Sequence, residues 1–184
     1  MLLSNSHKDK FLSDVIFGIT LSGTAQRGKL YRPESTTAER NTFRLALRRS
    51  LESLAQQYRD AVSDDHHFAN VENLSDTLSR EHANALNGSR FRIGSAQKAL
   101  NLYLKMLWCF DRIPAPPHCP FDRIVLSHVP DCERIKWTEL DSPSEYRRIV
   151  SCARSAAGGS LAEWELRSYT EWLAASRAAN VGAT

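Results

Sequence analysis

Lys98 and Asp122 are the pair in this chain best suited to covalent chemistry. A neutral lysine amine attacks an electrophilic carbon, and a fixed carboxylate stabilises positive charge building beside it. Lys98 closes the segment Arg90-Phe91-Arg92-Ile93-Gly94-Ser95-Ala96-Gln97-Lys98, and Asp122 follows 24 residues later behind Pro120-Phe121. A glycine ahead of a helix start permits a tight turn whose backbone N–H groups, with the helix dipole, make an anion cradle. Arg90 and Arg92 are expected to pair with phosphates beside that turn, and Gly94, Ser95, Ala96 and Gln97 to form it. Asn101 and Lys105 follow Lys98 at i+3 and i+7, so the three are expected on one helix face, lining a pocket. His118 joins them as a phosphate contact or proton carrier. Each feature has a plain alternative: a bundle corner for the turn, a wet stripe for Lys98-Asn101-Lys105, a helix cap for Asp122, a surface ring for His118.

The elements that must position these residues read as helices. Apolar residues recur at helical spacing over 8–17, where Phe11, Leu12, Val15 and Ile16 share a face, and over 36–62, where Phe43, Leu47, Leu51, Leu54 and Tyr58 do. Thr36 with Glu39 resembles a capping box. Residues 21–33 read as a Gly- and Thr-containing connection. Asp64-Asp65-His66-His67 reads as a polar, solvated break without metal-ligand spacing. A helix is expected over 73–86, stopped by Asn87-Gly88. Residues 95–110 are apolar on nearly all sides and belong at the centre. Pro114 to Pro120 is an extended connector, since four prolines deny it a helix. Asp122 opens a new helix, and two more span 144–157 and 161–178, split by Gly158-Gly159. Trp164, Tyr169 and Trp172 have the spacing of core residues. No set of strands is evident. The expected fold is all-α, one compact helical domain over 1–184 with a cleft between two helical subdomains.

Composition sets the outer limits. At 184 residues the chain can bury one real core. No run approaches a membrane span, and the N-terminal MLLSNSHKDKF lacks the long apolar stretch of a secretory signal, so a cytoplasmic, nucleoid-associated protein is expected. The four cysteines, Cys109, Cys119, Cys132 and Cys152, have no CxxC pair, which argues against a zinc knuckle or an iron–sulfur cluster and for idle thiols. The net charge is +3, but residues 90–136 carry eight basic against four acidic side chains. That local excess suits a phosphate-facing surface, or a solvated face with no partner.

The stretch from Ile93 to Asp122 resembles the signature of the helix-hairpin-helix DNA glycosylases, and most closely the compact archaeal 8-oxoguanine glycosylases. In that family Gly-x-Gly-x-Lys opens a helix and a Pro-Val-Asp-like segment follows. Here Gly94-Ser95-Ala96-Gln97-Lys98 and Pro120-Phe121-Asp122 stand in those places, with Ala96 for the second glycine and Lys105 as the second lysine seven residues on. The likeness covers about 30 of 184 residues and does not extend to recognition of 8-oxoguanine itself. It implies a monomeric DNA glycosylase that flips a modified base out of the duplex, with Lys98 as nucleophile and Asp122 as its acidic partner. It also implies abasic-site lyase activity, no metal and no cofactor. Base excision repair and defence against phage DNA with bulky modified cytosines, such as glucosylated hydroxymethylcytosine, both fit. Two other classes stay open: a non-catalytic helical DNA-binding module, and a helical protein-interaction domain.

Overall fold

The computed structural model describes residues 6–25 and 30–181, with side chains as far as Glu171. Among the described residues, seven α-helices run in the order α1 (His7–Ala25), α2 (Thr37–Ala55), α3 (Asp64–Glu81), α4 (Ile93–Cys109), α5 (Arg123–Leu126), α6 (Pro143–Ala157) and α7 (Leu161–Val181). The fold is all-helical; the sole extended pairing among the described residues is an isolated bridge between Tyr31 and Leu86.

The caps follow from local chemistry. Thr36 and Glu39 form the capping box of α2, each side chain accepting the other's backbone N–H. Pro143 sits in the first turn of α6 behind the Ser142 cap, and left-handed Gly158 (φ 64°) ends it.

Three expectations about α1 and α3 are corrected. α1 does not stop at residue 17 but continues through Gly18 and Gly23 to Ala25. Thr20 and Thr24 return their hydroxyls to the carbonyls of Ile16 and Thr20. At Gly23 a Cβ would lie 2.7 Å from Leu102 Cδ2 of α4. Small residues that read as a linker are a close helix–helix contact. Of the expected connection, residues 26–29 lie outside the described residues. The Asp64-Asp65-His66-His67 run is not a break but the first turn of α3, capped by Ser63. Two carboxylates suit the positive end of that helix, and His67 is completely buried. α3 also ends at Glu81, earlier than its apolar residues suggest, because Ala85 and Asn87 pair with the extended backbone of Leu30 to Arg32.

One apolar cluster runs through the molecule from Ile16 of α1 to Leu161 of α7. α4 lies at its centre, as its composition requires: Ala96, Ala99, Leu100 and Leu104 are wholly inaccessible, with α1 along one side and α3 along another.

Candidate active site

α4 brings Lys98 to the wall of a cavity of about 400 Å³. The cavity lies between α1, α4, α7 and the segment Pro120–Val125, and Ile19, Leu102, Met106 and Leu166 give it an apolar lining. Four charged groups face it: Lys98, Lys105, Asp122 and Glu165.

They fall into two ion pairs. Lys98 Nζ lies 3.4 Å from Asp122 Oδ2 and 4.3 Å from the centroid of the Trp137 ring. Lys98 is buried, so its charge is balanced by a carboxylate and a π face rather than by bulk water. Lys105 Nζ donates to Glu165 Oε2 at 2.6 Å and lies 4.9 Å from the Tyr169 ring centroid. Burial pushes the Glu165 carboxyl above its ordinary range, against the pull of Lys105. Glu165 was not among the residues expected from sequence; it lies 60 residues from Lys105, on a different helix.

Asp122 caps α5 and faces Lys98 at the same time. Oδ1 caps α5 by accepting from the backbone N–H groups of Ile124 (2.9 Å) and Val125 (3.1 Å), while Oδ2 faces Lys98. The cap, the plain alternative, also fixes the carboxylate beside Lys98.

The glycine turn is corrected. Gly94 is inside the first turn of α4, and its N–H donates to Leu140 O at 2.8 Å. A Cβ there would meet Trp137 O at 1.7 Å, so glycine is required by the chain segment Trp137–Asp141, which occupies the place expected for a phosphate. Ile93 N–H donates to Asp141 Oδ1, and Ser95 and Ala96 donate to Arg92 O. Ala96 and Gln97 are fully buried. Arg90 is held between Asp76 and Asp141, and Arg92 reaches Thr138 O. Arg112 pairs with Asp9 of α1. With Lys98 and Lys105, five of the eight basic side chains between 90 and 136 pair with groups elsewhere in the fold; Lys136 pairs locally with Glu139, and Arg112, Arg123, Arg134 and Lys136 are exposed.

Asn101 and His118 do not line the cavity. Asn101 is turned into the core, where its amide donates to Cys119 O (2.9 Å), Gln97 Oε1 and Tyr146 OH (both 3.2 Å). His118 is wholly inaccessible, with Nδ1 2.8 Å from Tyr146 OH, and its ring is 4.3 Å from that of His67. Burial depresses both histidines and keeps them neutral. At the edge of this cluster His118 and then Arg154 hold Asp64 down to about 2. Trp164 packs against the core, but Tyr169 is 43% exposed at the cavity wall rather than a core residue; the Trp172 side chain lies outside the described residues. Burial pushes the Cys119 thiol well up and Cys132 up to about 11, so neither is a ready nucleophile.

No group of three or more histidine, cysteine or acidic side chains among the described residues is placed to hold a metal ion. No described helix is long and apolar enough to cross a membrane. No protein-family model matches the chain, and no curated protein or solved structure is significantly similar to it.

Proposed function

We propose that this chain is a DNA glycosylase that excises a modified base with Lys98 as nucleophile and Asp122 as its partner. One observation carries the reading: a buried lysine held 3.4 Å from a helix-capped carboxylate at the wall of a largely apolar cavity. That cavity has the size and lining of a small-molecule site and suits a flipped nucleobase.

In this reading Lys98 Nζ, after passing a proton to solvent, attacks the sugar C1′. The bond from C1′ to the base nitrogen breaks, and its electron pair leaves with the base, which takes up a proton. Solvent supplies that proton, since Glu165 is paired with the Lys105 ammonium. Ionised Asp122 stabilises the positive charge passing through the sugar. The C1′–O4′ bond then opens, O4′ gains a proton, and the amine is left as a Schiff base. Loss of a C2′ proton expels the 3′-phosphate and gives the lyase step. Lys105 and Glu165 offer a donor and an acceptor to the edge of the base.

The test is borohydride trapping on abasic DNA and on a panel of oxidised, deaminated, methylated and glucosylated duplexes, with released base read by mass spectrometry. A covalent adduct is expected with the wild type and with Lys105→Ala, and none with Lys98→Ala. An adduct that survives Lys98→Ala overturns the assignment. Salt-dependent DNA binding without release or trapping would make the chain a binding module instead.

A further inference from the structure

We infer that Gln97 is a positioning residue of this site: its amide, backed by Asn101, clamps the Cys119–Phe121 backbone so that Asp122 stands against Lys98. The inference rests on the glycosylase reading for its catalytic meaning, but the clamp itself is read from hydrogen bonds.

Gln97 and Asn101 are both completely inaccessible, and two amides in an apolar core are costly unless their bonds are made. Gln97 holds Phe121 by both of its backbone groups. Nε2 donates to Phe121 O at 2.8 Å, and Phe121 N–H donates to Oε1 at 3.1 Å. The second Nε2 hydrogen goes to Gly94 O at 2.9 Å. Asn101 holds the carbonyl two residues back, Cys119 O, and its 3.2 Å bond to Gln97 Oε1 fixes the first amide's orientation.

The sequence explains why an external clamp is needed. Pro114, Pro116, Pro117 and Pro120 lack N–H groups, so this connector cannot build a backbone ladder of its own. Its register must come from a neighbour, and α4 supplies it. Gln97 also adjoins Lys98 on the same rigid helix. The side chain that seats Phe121 therefore sets the distance from the lysine amine to the carboxylate one residue further on.

The test compares Gln97→Met, which keeps length but loses both bonds, with Gln97→Asn, which keeps an amide one carbon short and serves if the first fails to fold. The Lys98 titration is followed by lysine side-chain NMR, assigned with Lys98→Arg. The charged groups facing Lys98 are Asp122 on the clamped segment, and Lys105 and Glu165 across the cavity, with the Trp137 ring beside it. In folded variants Asp122 is expected to move away from Lys98, and the lysine midpoint to fall with the loss of its carboxylate partner. Trapping on abasic DNA is expected to slow roughly tenfold or more while DNA affinity stays within about twofold. Folded variants with an unmoved Lys98 titration and wild-type trapping would overturn the inference and leave Gln97 a packing residue. A wild type that traps nothing sinks the glycosylase reading; a lowered Lys98 midpoint in the variants would still support the clamp.

Discussion

Gly94 has no room for a methyl group, and the reason differs from the one its motif suggests. In a phosphate-gripping turn, alanine would weaken a ligand. Here the obstacle is the backbone of Trp137, 1.7 Å from where the Cβ would lie. Backbone yields less readily than a side chain, so Gly94→Ala is expected to destabilise the fold by about 3 kcal/mol. Gly23→Ala meets only the end of the Leu102 side chain, and its cost should be about 1 kcal/mol. Urea unfolding of the two variants checks the contrast; equal losses would contradict it. The importance of a glycine before Lys98 was legible in the sequence. What approaches it was not, because Trp137 is 43 residues further along the chain.

Among the elements, α5 is the shortest and the one most tied to the site. Its four residues cannot sustain a helix alone, so the Asp122 cap and the packing of Val125 and Leu126 hold it. The two duties of Asp122 can be separated. Asparagine caps about as well as aspartate but carries no charge, whereas alanine loses both functions. Asp122→Ala is expected to be less stable than Asp122→Asn by about 1 kcal/mol, and both should trap DNA poorly. Equal urea midpoints would mean that the cap contributes nothing. The helix α2 stops at Ala55, short of the expected 62, and gives way to a separate 3-10 turn over Gln56–Arg59. The helices α4, α6 and α7 were legible within a few residues of their ends. α1 and α3 were not, because composition misled: Gly and Thr in α1 serve close packing against α4, and the acidic, histidine-rich start of α3 is a capped first turn that turns His67 into the core.

For the whole molecule, the buried histidine pair predicts acid sensitivity. His67 and His118 are neutral in the folded protein because burial disfavours their charged forms. His67 faces His118, Asp64 and His66, while His118 faces Asp64, Arg154 and Arg147. Their folded pKa values lie below the unfolded ones, so the unfolded chain takes up more protons as pH falls. Stability is therefore full above the ordinary histidine range and declines below it, by up to about 1.4 kcal/mol per pH unit for each histidine. Asp64, held down to about 2, adds a second loss as pH drops through the ordinary carboxylate range toward that value. Urea midpoints at pH 7, 6 and 5 should fall steadily, and His118→Gln should flatten the slope; a flat wild-type profile would contradict the buried, neutral assignment. At this scale the sequence by itself determined an all-helical chain, an apolar central helix bearing Lys98, and a carboxylate capping the helix after a proline connector. These follow from periodicity and capping, which act over a few residues. Only the tertiary structure decided that Lys98 meets Asp122 while Asn101 and His118 turn inward, that Glu165 joins the cavity, and that the Ile93 and Gly94 amides are taken by the segment 137–141. Those outcomes depend on how residues tens of positions apart share one core, where each buried polar group must find its partner.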